Sequence, residues 1–453
     1  MIVASDTIVA LATPGGSGAI AVIRLSGPDA ILITQKIFKG KDLSQQASHT
    51  IHFGIIRDGE QIIDEVLVSL FIAPHSYTRE NVVEISTHGS AYIIEKVIKL
   101  AIQHGARAAK PGEFTLRAFL NDQLDLSQAE AVADLIASHS QASHQMAMQQ
   151  MRGGFSNQLQ QLRNELIHFA SMIELELDFA EEDVEFANRD DLKRLIYQIN
   201  KVINTLIASF EQGNVLKNGV PVVIAGQPNV GKSTLLNTLL NEERAIVSDI
   251  AGTTRDTIED EMILNGINFR FIDTAGIRDT QDVIEAKGVE RTLDKMKLAK
   301  LIIYLFTPEQ DRKSIELQLQ QVQDLNIPFI ALMNKSDLIS DDQKRLLDDY
   351  TFISISAQQK LGIEELKSAI LEKVNLAKIN TDGVMVSNIR HLEALQKTES
   401  ALNRVLTNLD TPIASDFLAS DIKQALHYLG EITGIVTTDD LLENIFTKFC
   451  IGK

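Results

Sequence analysis

Residues Gly226-Gln227-Pro228-Asn229-Val230-Gly231-Lys232-Ser233 decide how this chain is read. They spell G-x-x-x-x-G-K-S. A strand-like apolar run, Val220–Ala225, comes just before them, and a helical run, Thr234–Leu240, just after. Strand, glycine loop and helix in that order make a phosphate cradle. The glycines let backbone N–H groups wrap an oxyanion, and the helix N-terminus adds partial positive charge. In such a loop Lys232 reaches the β- and γ-phosphates of a nucleotide, and the Ser233 hydroxyl ligates Mg2+.

The text around the loop has the matching grammar. Residues 217–378 alternate strands and helices, with strand candidates at Pro221–Ala225, Phe269–Asp273, Leu301–Phe306, Phe329–Asn334 and Phe352–Ser356. That pattern predicts a doubly wound parallel sheet, hence an α/β P-loop domain. Three of the strands end in polar motifs. At Asp273-Thr274-Ala275-Gly276 the carboxylate can approach Mg2+, and the Gly276 N–H can meet a γ-phosphate. At Asn334-Lys335-Ser336-Asp337 the Asp carboxylate can accept from both N1–H and the exocyclic amine of guanine. Adenine presents neither pattern, so Asn334 and Asp337 are read as selecting GTP. Ser356-Ala357-Gln358 can give the guanine O6 a backbone donor. The expected GTP contacts are therefore Asn229, Val230, Gly231, Lys232, Ser233, Thr234, Asp273, Thr274, Ala275, Gly276, Asn334, Lys335, Asp337, Ser356 and Ala357.

The flanks are written differently. Residues 1–118 read as α+β, with strands at Ala19–Leu25, Val66–Ile72 and Val82–Ser86 and a helix over Tyr92–His104. Gly15, Gly16 and Gly18 read as a turn. Residues 119–216 are helical: Leu159, Leu162, Leu166, Phe169 and Ile173 make a heptad-like seam, and Leu192 to Phe210 a second apolar stripe. Residues 379–453 are helical again, with stripes through Leu392, Leu395, Leu402, Val405 and Leu406, then Phe417, Leu418, Ile422, Leu426 and Leu429. The simplest architecture inserts the P-loop domain into one helical bundle whose halves bury their stripes together.

Composition bounds the function. Hydrophobic residues make up 44% and charged residues 23%, enough apolar material for several cores. The net charge of −18 argues against a general duplex binder, though not against a local basic groove. Cys450 is the one cysteine, which excludes a disulfide framework. Trp is absent and aromatics are 5%, which disfavours an aromatic base-stacking surface. No uncharged apolar run approaches about 18 residues, and the opening residues lack a basic leader. A cytoplasmic protein with no membrane contact is expected. Glu174–Asp191 holds nine acidic residues and one Arg, a solvated face or a docking patch for a basic partner.

With these motifs, residues 217–378 resemble a Ras-like, translation-factor-related GTPase domain. One position departs: Ile277 stands where Ras-like enzymes place a water-orienting Gln. Adding Pro111-Gly112-Glu113-Phe114, Arg117-Ala118-Phe119-Leu120-Asn121 and the tail Phe449-Cys450-Ile451-Gly452-Lys453, the whole chain resembles the MnmE (TrmE) family of tRNA-modifying GTPases. The resemblance implies an N-terminal folate-binding domain that holds a homodimer. It implies a one-carbon unit from 5-formyl- or 5,10-methylene-tetrahydrofolate, and a heterotetramer with the FAD-containing partner MnmG. The product is a carboxymethylaminomethyl-type group at C5 of the wobble uridine of certain tRNAs. GTP hydrolysis is expected to be potassium-activated. Carried over position by position, Ser233 and Thr254 hold Mg2+. Asn229, Ser248, Ile250 (through its carbonyl) and Thr253 hold K+, and Ser248, Thr253 and Thr254 join the GTP contacts. Glu285 takes over the catalytic positioning of water. Arg24, Glu84, Gln123 and Lys453 fall on the folate contacts; Gln123 stands where relatives often carry Lys. Cys450 is the family's tail cysteine. A competing class is a ribosome-assembly or RNA-binding switch. It lacks support here, because no G-x-x-G clamp sits in a basic C-terminal domain.

Overall fold

The computed structural model describes residues 6–178, 188–243, 260–272, 296–338, 352–374, 384–409 and 415–453. The chain forms two compact units: residues 1–136, 148–204 and 393–453 make one, and residues 137–147 and 205–392 the other.

The first unit opens with a seven-stranded sheet. Its strands are β1 (Thr7–Leu11), β2 (Gly18–Ser26), β3 (Phe38–Lys39), β4 (Thr50–Asp58), β5 (Gln61–Phe71), β6 (Val82–Gly89) and β7 (Ala106–Ala108), in the order β3-β4-β5-β6-β2-β1-β7. Helices α1 (Ala30–Ile37) and α2 (Ala91–Gln103) add to the core on one face. Strand alternation decides what faces where. In β2, Ala21, Ile23 and Leu25 enter the core, so Val22 and Arg24 turn to the other face; in β6, Val83 and Ile85 enter and Glu84 turns away. The expected helix over 92–104 is there, with Ile94, Val97, Leu100 and Ala101 buried and Ile93 and Ile98 packed at the margin. The chain continues into α3 (Glu113–Leu120), α4 (Leu126–Ile136), α5 (Gln141–Met151), α6 (Gly154–Asp178) and α7 (Arg189–Asn218).

The second unit carries β8 (Val220–Gly226), α8 (Lys232–Glu243), β9 (Asp260–Leu264), β10 (Ile267–Phe271), β11 (Leu301–Phe306), α9 (Arg312–Gln323), β12 (Phe329–Met333), β13 (Ile353–Ser354) and α10 (Ile363–Lys373). The sheet order is β13-β12-β11-β8-β10-β9. Every pairing is parallel except the β9–β10 hairpin. β11 is buried at all six positions, which is why it reads as an unbroken apolar run, LIIYLF. The β9–β10 turn uses Asn265 and Gly266, both at positive φ, as a two-residue hairpin requires. The last strand is shorter than the sequence suggests: it ends at Ser354, and Ser356 pairs as an isolated bridge with Leu361.

Helices α11 (Ile389–Leu409), α12 (Ser415–Thr433) and α13 (Asp439–Phe446) complete the first unit. The two helical stretches do join. Leu159, Leu166 and Ile173 of α6, Leu192, Ile199 and Ile203 of α7, and Leu402, Val405, Ile422 and Leu429 of the returning helices are all buried. Asn200 donates to Asn403 at 2.9 Å, and Lys423 pairs with Glu174. Phe417 departs from the expected stripe. It is 62% exposed, because one step of about 100° from buried Leu418 turns it outward.

Candidate functional site

The cradle begins where β8 stops. Gly226 sits at φ 144°, and a Cβ there would run into the Leu305 carbonyl of the neighbouring strand. Gly231 sits at φ 96°, and a Cβ there would strike the Asn334 side-chain amide. Only glycine fits both places. Between them, Asn229 takes the left-handed conformation at φ 63°, which Asn tolerates better than most residues, and leaves its side chain exposed. Val230 is buried under the loop. The Lys232 ammonium donates to the carbonyls of Gly226 at 2.9 Å and Gln227 at 2.8 Å, and burial holds its pKa below the usual lysine value. Ser233 and Thr234 lie in the first turn of α8, the end of a helix at which backbone N–H groups point outward.

Parallel pairing brings the Asn334 and Ser356 motifs to the same end of the sheet. Asn334 follows β12, and its backbone N–H donates to Phe306 O at 2.9 Å. Its side-chain Nδ2 donates to Val230 O at 2.8 Å, and its Oδ1 accepts from the Ala357 N–H at 3.0 Å. At 3% exposure this amide ties three loops together. The Asn334 amide thus holds the loops, and the exposed carboxylate beside it is Asp337, in the short 3-10 turn Ser336–Leu338. Lys335, at φ 62°, lies 3.6 Å from Glu309. Ser356 and Ala357 are buried, with Ser356 Oγ accepting from the Gln359 N–H at 3.3 Å. Two supports carry no motif. Thr238 Oγ1 donates to Ala357 O at 2.9 Å, and Gln310 donates to the Gln227 side chain at 2.7 Å. Ser248, Ile250, Thr253, Thr254, Asp273, Thr274, Ala275, Gly276, Ile277 and Glu285 lie outside the described residues.

The first unit holds a second constellation. Arg24 and Glu84 face each other in register across β2 and β6. Arg24 Nε donates to Glu84 Oε1 at 2.9 Å, and its Nη2 lies 2.7 Å from the same oxygen. The Arg24 guanidinium also lies over two rings, 5.5 Å from Tyr77 and 5.7 Å from Phe114. Tyr77 is buried enough that its phenol pKa is pushed up, and its hydroxyl meets Thr115 Oγ1 at 2.9 Å. The tail comes to this place. Gly112 N–H donates to Cys450 O at 3.3 Å, Phe114 N–H to Lys453 O at 3.2 Å, and Arg24 Nη1 to Gly452 O at 3.4 Å. Behind the tail, Leu126, Ala129, Leu442, Phe446 and Phe449 pack as one cluster. Partial burial, then the charge of Arg24, lowers the Lys453 pKa. Cys450 is exposed. Gln123 stands apart from this group, accepting from Arg79 Nε at 2.9 Å. Tyr77 and Arg79 carry no motif and escape sequence reading; Phe114 was visible only as part of a signature. Arg117 is buried among Asp6, Glu80 and Glu113, so its motif serves to fasten α3 to the sheet.

Comparison with known proteins adds the following. A family model described as the MnmE helical domain matches residues 126–450, and one described as the GTP-binding protein TrmE N-terminus matches residues 7–123. A tRNA modification GTPase MnmE of Cytophaga hutchinsonii is 56% identical over 453 residues, covering 99% of this chain and 98% of its own. One of Christiangramia forsetii is 54% identical over 475 residues, covering 99% of each chain. Among solved structures, the FeoB G-domain from Methanococcus jannaschii aligns at 26% identity over 34% of this chain and 97% of its own, with a TM-score of 0.26.

Proposed function

We propose a working cycle for this chain, which belongs to the tRNA modification GTPase MnmE family. It is a GTP hydrolase acting in tRNA modification. In our reading, residues 1–118 bind a reduced folate and pair two copies. Residues 119–216 and 379–453 form the helical body, and residues 217–378 the G domain. Together with the FAD-containing partner MnmG, the protein builds a carboxymethylaminomethyl-type group on C5 of the wobble uridine. The carbon is drawn from 5-formyl- or 5,10-methylene-tetrahydrofolate.

The observation that carries the reading is the presence, in one chain, of two separate constellations: the GTP cradle and the tail-capped Arg24–Glu84 pair. The cradle residues suit a nucleotide, since glycine is required at 226 and 231 and N–H groups collect at the start of α8. Ser233 and Thr254 would hold Mg2+, which neutralises charge between the β- and γ-phosphates. Asn229, Ser248, the Ile250 carbonyl and Thr253 would hold K+, an oxygen-rich set proper to a hard cation. Glu285 orients water where Ile277 cannot. Glu84 presents a carboxylate to the donor edge of a pterin, beside the rings of Tyr77 and Phe114. Pairing of two copies is supported by the open sheet face, where Ile51 and Phe53 are each 65% exposed and Leu67 is 47% exposed. No helix among the described residues is long and apolar enough to cross a membrane, and we assign the protein to the cytoplasm with its tRNA.

Nucleoside analysis of tRNA tests the whole reading. A strain lacking this protein should lose the wobble-uridine modification, and the wild-type chain should restore it while Lys232→Ala does not. An unchanged nucleoside profile would end the proposal. Hydrolysis should also run faster in KCl than in NaCl at equal ionic strength, and equal rates would remove the potassium site.

A further inference from the structure

We infer that Arg79 is the cation that holds the carboxylate tail of the reduced folate. The inference rests on the folate reading above and names which residue meets the ligand's charge. Arg24 Nε and Nη2 both engage Glu84, at 2.9 and 2.7 Å, so the two charges offset each other. Its guanidinium lies over the rings of Tyr77 and Phe114. A neutralised pair resting on two aromatic rings suits a flat, hydrogen-bonding heterocycle. It offers no net charge to a glutamate tail with two carboxylates.

Arg79 has what that pair lacks. It is exposed, and its guanidinium is aimed by two contacts, Nε to Gln123 Oε1 at 2.9 Å and Nη1 to Asn121 O at 3.0 Å. Both partners are neutral, and among the described residues the second Nη has no hydrogen-bond or ion-pair partner. Two acids close by in the chain are engaged elsewhere, Glu80 with Ser26 and Arg117 and Asp125 with Ser127 and Gln128, while Asp122 is exposed to solvent. A guanidinium so presented matches a carboxylate with two parallel N–H donors. Its backbone sits at φ 58°, where side chains other than glycine, Asn and Asp are uncommon. The separation also fits. Phe114, which lies under Arg24, is near the start of α3, while Asn121, which holds Arg79, caps its end. Seven helical steps are about 10 Å, the order of the reach from a pterin through an aminobenzoyl group to the glutamate.

Gln123 then has a clear task. A Lys at that position would repel the Arg79 guanidinium; a neutral amide accepts from it instead. The cation is carried by residue 79 and steered by residue 123.

Calorimetric titration of the full chain tests this with two probes, 5-formyl-tetrahydrofolate and its tail-less counterpart 5-formyl-6-methyl-tetrahydropterin, which carries no carboxylate. Arg79→Gln should weaken the glutamylated probe about tenfold or more and leave the tail-less probe within twofold. Arg79→Gly should do the same, and glycine accepts the left-handed backbone, so loss of fold is not an alternative explanation. Adding Gln123→Lys to Arg79→Gly should recover affinity for the glutamylated probe. Unchanged affinity in both Arg79 variants, or equal weakening of both probes, overturns the assignment. If the wild-type chain binds neither probe, the folate reading itself falls, and the inference falls with it.

Discussion

The nucleotide cradle and the Arg24 constellation sit in different units and are assembled in different ways. In the cradle, a run of eight residues carries the loop, and the Asn334 and Ser356 motifs follow strands delivered to the same end of the sheet by parallel pairing. Around Arg24, the contacts cross the chain: Glu84 is 60 residues away and Gly452 is 428 residues away. The first kind of site is specified by local backbone geometry, so its chemistry is spelled in consecutive letters. The second depends on register and docking, so its letters have meaning only after folding. The two kinds should also fail in different ways.

The largest separation is expected from Gly231→Val. The new side chain must displace the Asn334 amide and hold a strained φ. Those costs together should weaken GTP binding about a hundredfold or more. Binding of 5-formyl-tetrahydrofolate, measured on the same preparation, should stay within twofold. The mirror experiment is Gly452→Val. That glycine sits at φ 94° with the Leu11 carbonyl against it, so a side chain there lifts the tail away. Affinity for 5-formyl-tetrahydrofolate should fall about tenfold, while GTP hydrolysis keeps its rate. Loss of both activities in either variant would erase the distinction between the sites.

A subtler variant is Asn334→Ala. It leaves Val230 O and the Ala357 N–H without their partner in a buried place, at a cost of about 1–3 kcal/mol. Denaturant melting of the second unit should show that loss, with GTP affinity falling alongside. If affinity falls and stability does not, base reading rather than loop holding is the larger role of Asn334. The smallest expected effect is Thr438→Ala. Thr438 Oγ1 accepts from the Leu441 N–H at the start of α13, the helix that leads to the tail. Removing that cap should cost about 1 kcal/mol, seen as a drop of a few degrees in Tm with folate binding slightly weaker and hydrolysis unchanged.

These contrasts also explain what the sequence could and could not tell. The order of strands and helices in the second unit was legible because β8 and β11 are apolar runs bounded by turns. The two half-bundles were legible from seven-residue spacing. What escaped was register. Alternation alone turns Arg24 and Glu84 outward, but nothing in the letters says that β2 lies beside β6 with those two residues opposite. The loop-holding contacts of Asn334 were hidden for the same reason: its amide partners lie 104 and 23 residues away. Phe417 was misjudged by one helical step. Arg79 drew no notice, since an exposed Arg in a loop is ordinary until its partners are known.

The docking of the tail has a consequence during protein synthesis. Gly452 leaves the ribosome 428 residues after Arg24. At about 5–20 residues per second, that is a wait of roughly 20–90 s. Through that interval the strands bearing Arg24 and Glu84 can pair, but the edge that Cys450 and Lys453 cover stays open to solvent and to chaperones. The residues of the second unit, lying between them in the chain, emerge earlier and can complete their sheet first. A nascent chain can thus complete the nucleotide cradle before the tail docks against Arg24.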